Sequence, residues 1–82
     1  MAMAALEPTP RLPHVLLVDD DPLVLRSLAR SLQASGVHVI TVNDPEKALK
    51  LTVSEDLDCV ICDIRMPQMS GVTFARHMRS QK

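Results

Sequence analysis

Leu57-Asp58-Cys59-Val60-Ile61-Cys62-Asp63-Ile64-Arg65-Met66-Pro67-Gln68-Met69-Ser70-Gly71 is the stretch whose reading decides the fold. Its first half, Leu57 to Cys62, is an apolar run rich in β-branched and small residues and predicts a buried strand. Asp63 ends the run, so a carboxylate stands where strand becomes loop. Pro67 has no N–H and a fixed φ, which stops the chain from continuing there as strand or helix. Ser70 offers an N-cap hydroxyl, and Gly71 is expected to let the backbone turn before a helix begins. A carboxylate at the carboxyl end of a central strand faces the crevice in which open α/β sheets bind ligands.

Upstream, the same grammar occurs twice. Val15-Leu16-Leu17-Val18 is a short apolar run of the kind covered on both faces in a parallel sheet. It ends in Asp19-Asp20-Asp21-Pro22, where Asp21 is the expected N-cap and Pro22 the first helical residue. Leu25, Leu28 and Leu32 give that helix an apolar stripe, and Gly36 is its natural stop. Val37 to Val42 is a second β-branched strand. Asn43-Asp44-Pro45 opens a second helix with Ala48, Leu49, Thr52 and Val53 on its apolar side. After the loop at Asp63, Phe74, Ala75 and Met78 form the buried stripe of a third helix, with Arg76, His77 and Arg79 elsewhere. Alternating strand and helix with short connections predicts an α/β fold of three βα units, with parallel strands joined by right-handed crossovers.

The chain has 82 residues, enough for one small domain, and its 46% hydrophobic residues include a single aromatic, Phe74. A core of this size must be built from aliphatic side chains and removes only about 60% of the unfolded surface from water. The net charge of −1 gives no global attraction to nucleic acid or anionic membrane. No apolar run approaches the roughly 20 residues of a membrane span, and residues 1–13 lack the basic start and apolar centre of a secretory signal. Residues 1–13 are expected to form a disordered leader and residues 14–82 the folded domain; the cytoplasm is the default setting.

Asp19, Asp20 and Asp63 all stand at carboxyl ends of apolar strands. If the first and third strands are neighbours, the carboxylates converge and repel one another unless a cation fills the site. An oxygen-only, partly hydrated donor set favours Mg²⁺. A metal beside an accessible carboxylate suggests nucleophilic attack on phosphorus, giving an aspartyl phosphate. Acids at strand ends also serve as turn formers and N-caps, and that is the expected role of Asp21 and Asp44.

The sequence Val-Leu-Leu-Val-Asp19-Asp20-Asp21-Pro22, together with Asp63-x-x-Met66-Pro67-x-Met69-Ser70-Gly71, resembles the receiver domain of two-component response regulators. The resemblance runs from His14 to about Ser80, and it implies a flavodoxin-like parallel sheet, here a partial (βα)3 unit with strand order 2-1-3. It implies that Asp63 is the phospho-acceptor, receiving a phosphoryl group from a sensor histidine kinase or a histidine phosphotransfer protein. It further implies that Asp20, Asp63 and the backbone carbonyl of Arg65 ligate Mg²⁺, with Asp19 acting through a bound water. A complete member of that family has five βα units, and the 82 residues supply three, an expected truncation after the third. The Ser or Thr after the fourth strand and the Lys after the fifth, which bind phosphoryl oxygens in the family, are not among them. The alternative is a non-catalytic docking module or fragment that binds a kinase or another receiver without phosphate turnover. In either case the chain is expected to act as a signalling module rather than an enzyme. With the third strand at an edge, self-association through Leu57–Cys62 is a further expectation.

Other signals are read as structural. The Cys59-x-x-Cys62 spacing puts the thiols on opposite faces of a strand. His14, His38 and His77 have no mutual ligand spacing, and Arg76, Arg79 and Lys82 read as a solvated face rather than a nucleic-acid site. With two glycines, Gly36 and Gly71, neither a GxGxxG turn nor a P-loop can be written. A phosphatase with an Asp-x-Asp nucleophile pair is disfavoured because position 65 is Arg.

Overall fold

The structure is a computed structural model and describes residues 12–81. Its elements follow in the order β1 (His14–Val18), α1 (Pro22–Ala34), β2 (His38–Val42), α2 (Pro45–Ser54), β3 (Cys59–Cys62) and α3 (Gly71–Ser80). The strands form one parallel sheet in the order β2-β1-β3, parallel as the alternation predicted and in the order that the family resemblance implied. The expected leader falls mostly outside the described residues. Pro13 already belongs to the sheet region, since its carbonyl accepts the His38 N–H at 2.9 Å.

β1 is apolar on both faces because both are covered. Leu16, Leu17 and Val18 are each at most 1% exposed. On one face Leu16 and Val18 meet Ala48 and Leu49 of α2, Phe74 of α3 and Met66 of the loop. On the other, Val15 and Leu17 meet Leu25 of α1. The domain therefore has three layers: α1, the sheet, and α2 with α3.

Each helix starts where a side chain can satisfy its free N–H groups. Asp21 Oδ1 accepts from Leu23 N at 2.9 Å, Asp44 Oδ1 from Glu46 N at 2.9 Å, and Ser70 Oγ from Thr73 N at 3.1 Å. Helix α1 ends in a Schellman motif. Gly36 N donates to Gln33 O, Val37 N donates to Leu32 O, and Gly36 takes φ +85°.

The structure departs from the expected pattern in four places. Val53 is 67% exposed rather than on the apolar side of α2, and the half-buried aliphatic there is Leu51. Helix α2 rests on β1 and β2 and leans on α3, which turns its buried arc toward Leu51. Leu28 is 43% exposed, since α1 packs chiefly against β2 and leaves the β3 side of that face open. For the same reason Cys59 and Ile61 are exposed while Val60 and Cys62 are half-buried. The strand itself is shorter than Leu57–Cys62. It starts at Cys59, after Asp58 has turned its carboxylate back to accept the His14 N–H at 2.7 Å. Among the described residues, no helix is long and apolar enough to cross a membrane.

Phe74→Ala should cost about 3–5 kcal/mol, comparable with the whole stability of so small a core. Val53→Ala should stay within about 0.5 kcal/mol. Urea denaturation of the two variants checks the placement of both side chains.

Candidate functional site

Register brings the acids together. Val18 of β1 pairs with Cys62 of β3, so Asp19 and Asp63 leave the sheet side by side. Backbone bonds hold both exits: Asp63 N donates to Val18 O at 2.9 Å, and Asp19 N to Val42 O at 3.2 Å. Each carboxylate then curls over its own loop. Asp19 Oδ1 accepts from Asp21 N at 2.9 Å, and Asp63 Oδ1 from Arg65 N at 3.2 Å. Oxygen atoms of Asp19, Asp20 and Asp63 all lie within 4.8 Å of one another.

Like charges so close should disfavour ionisation, and Asp19 responds. Its carboxyl is held above the usual carboxylate range, first by desolvation and then by the charges of Asp63 and Asp20, against a lowering bond from the Asp21 N–H. The neighbouring Cys62 thiol is also pushed up, by burial and then by Asp63 and Asp19. A thiol so placed stays protonated and is a poor nucleophile or metal ligand. Cys59 lies on the opposite, exposed face, and both thiols are free.

The loop after Asp63 is fixed from above and below. Met66 is 8% exposed and plugs the core under the loop. The first turn of α3 sits directly on the Asp63–Ile64 backbone, where Gly71 N donates to Ile64 O at 2.8 Å. A Cβ at Gly71 would lie 2.6 Å from the Asp63 carbonyl oxygen and 2.8 Å from Ile64 Cα. Gly71 is therefore required for close approach rather than for turning, and its φ is not positive.

A shallow depression of about 140 Å³ opens beside Asp19 and Asp63, floored by Leu17, Val18 and Leu25. The site thus joins two anchored carboxylates, a third exposed one at Asp20, and a loop whose backbone is fixed. An oxygen-only donor set carrying excess negative charge suits a hard divalent cation, so the residues fit Mg²⁺. Asp21 and Asp44 take the N-cap roles expected of them.

One grouping escaped the sequence reading. His14 and His38 are partners across β1 and β2, with ring centroids 4.7 Å apart at the end of the sheet opposite the acids. Strand register was the signal that could have found this pair.

Residues 15–82 match the response regulator receiver domain family. The chain is 35% identical over 68 residues to the alkaline phosphatase synthesis transcriptional regulatory protein PhoP of Bacillus subtilis, covering 83% of this chain and 28% of that protein. Among solved structures it is similar to the response regulator TrrA of Thermotoga maritima in complex with Mg²⁺-BeF. That likeness has a TM-score of 0.82 and 38% identity, over 87% of this chain and 62% of the other. TrrA in complex with the histidine kinase ThkA gives a TM-score of 0.81 and 38% identity, over 87% and 61%. The chain spans less than a third of the curated relative's length and under two thirds of the solved receivers.

Asp19→Asn keeps an oxygen for the Asp21 N–H while removing one charge from the cluster. It should raise the metal-free melting temperature by about 2–5 °C and reduce the stabilisation that millimolar Mg²⁺ gives the parent. The folded chain holds the Asp19 proton more tightly than the unfolded chain does. Metal-free stability should therefore fall as pH rises through that titration, and the decline should flatten in Asp19→Asn. Scanning calorimetry across acid to neutral pH, with and without Mg²⁺, reads all three effects. Gly71→Ala should destabilise by about 1–3 kcal/mol, since backbone rather than a flexible side-chain tip meets the new methyl.

Proposed function

Because this chain belongs to the response regulator receiver domain family of two-component signalling, we propose that it accepts a phosphoryl group on Asp63 from a phosphohistidine. The observation that carries this reading is the meeting of the Asp19, Asp20 and Asp63 carboxylates at the ends of β1 and β3. The donor is a sensor histidine kinase or phosphotransfer protein in the cytoplasm. The solved pairing of TrrA with the kinase ThkA supports that class of partner.

In the reaction, an Asp63 carboxylate oxygen attacks phosphorus. An O–P bond forms as the P–N bond to the donor imidazole breaks, and the imidazole leaves with the electron pair and takes up a proton. The Arg65 N–H on Asp63 Oδ1 fixes the carboxylate and leaves its other oxygen to attack. Gly71 and Met66 keep that geometry by immobilising the backbone under it. Asp20, Asp63 and the Arg65 carbonyl would hold Mg²⁺, with Asp19 acting through water. When bound, Mg²⁺ supplies positive charge that offsets both the cluster and the transferring phosphoryl oxygens. Among the described residues, no Lys, Ser or Thr lines the depression beside Asp63. The acyl phosphate is accordingly formed in low yield. The chain is the acceptor that is modified, a signalling module rather than a turnover enzyme.

The test is incubation of the 82-residue chain with Mg²⁺ and a small acyl phosphate donor, then borohydride trapping and peptide mapping. Label on Asp63, lost in Asp63→Asn, is the expected result. Label on His77 or on a serine overturns the proposal. A chain that binds Mg²⁺ yet takes no label supports the docking-module alternative instead.

A further inference from the structure

A second hollow lies away from the acids, over the outer edge of β2. It is a groove of about 860 Å³ between α1 and α2. Its floor is apolar, with Leu25, Val39 and Leu51, and its walls carry Arg26 and Arg30 from α1 and Lys47 and Lys50 from α2. Four of the chain's nine Lys and Arg residues thus face one groove that no Asp or Glu lines, in a molecule of net charge −1. All four are exposed.

Among the described residues, the backbone at the floor is also unpaired on one side. His38 N donates to Pro13 O and Val42 O accepts from Asp19 N, so residues 38, 40 and 42 address β1. Val39 and Thr41, between them, turn their N–H and C=O groups outward. Among the described residues no strand lies beyond β2. Edge strands are commonly guarded by charges on the strand itself. Here the outward positions are Val39 and Thr41, and the cations stand back on the two helices.

We infer that this groove docks an acidic, extended segment of a partner polypeptide, which adds to β2 as an outer strand. The ladder groups of Val39 and Thr41 would hold its backbone, the apolar floor its inward side chains, and the four cations its carboxylates. A nucleic acid would use the cations but not the open ladder or the aliphatic floor. The surface is separate from Asp63, so this inference stands or falls independently of phosphoryl chemistry.

The probe is a synthetic peptide of about nine residues that alternates glutamate with valine, titrated into the full chain and followed by NMR and amide exchange. Binding should protect the Val39 and Thr41 amides and weaken as salt rises from about 0.05 M to about 0.5 M. The double variant Lys47→Glu, Lys50→Glu should lose about tenfold or more in affinity. Thr41→Pro removes one outward N–H and no bond to β1, which an edge strand tolerates; it should abolish protection at Val39 and weaken binding to a similar degree. Three results would overturn the inference. The peptide does not bind; it binds without protecting Val39 and Thr41; or an oligonucleotide of equal charge binds as tightly while Thr41→Pro changes nothing.

Discussion

Everything in this domain hangs on β1 being hydrogen-bonded on both sides and covered on both faces. Its parallel partners hold it in register from His14 to Val18, and its side chains bridge the two core clusters. A strand so enclosed has one acceptable sequence pattern, a continuous apolar run. Polarity can return only where the strand leaves the sheet. That constraint places Asp19 and Asp20 at its carboxyl end. Because β3 is parallel and in register, the same constraint places Asp63 beside them.

The site therefore works against the fold that builds it. Burial of β1 and of the Phe74 cluster stabilises the sheet, while at its end desolvation and the neighbouring carboxylates disfavour ionisation of Asp19. A divalent cation bound there would remove that penalty and couple site occupancy to stability. The backbone around Asp63 is correspondingly stiff. α3 presses on it at Gly71, Met66 fills the space beneath, and Asp63 itself accepts from Arg65. At the opposite end of β1, Asp58 anchors the first residue of the strand through the His14 N–H, so both ends are tied to neighbours. Receiver domains transmit signals, and a crowded acid cluster on a fixed backbone is a suitable place for charge to be read.

Much of this was legible in the residues because it is local. The Asp21-Pro22 and Asp44-Pro45 starts, the Ser70 cap and the Gly36 stop each depend on atoms within a few residues of one another. Alternation foretold a parallel sheet, while the order 2-1-3, and with it the convergence of the acids, came with the resemblance to receiver domains. What escaped depends on long-range packing. The exposure of Val53 and Leu28 reflects how the helices lean on the sheet, which periodicity does not record. Gly71 looked like a turn residue, whereas its role is set by the Asp63 carbonyl lying where a methyl would go. The His14–His38 contact required strand register, and the basic groove required two helices to face across an edge.

The central claim is that strand ends assemble one cation site from Asp19, Asp20 and Asp63. Paramagnetic broadening by sub-stoichiometric Mn²⁺, read on every backbone amide, tests it most directly. The account predicts broadening concentrated at residues 19–21 and 63–65, relieved by excess Mg²⁺, with Val39, Thr41 and the His14 end of the sheet unaffected. Broadening spread evenly over the chain, or concentrated at His14 and His38, would contradict it.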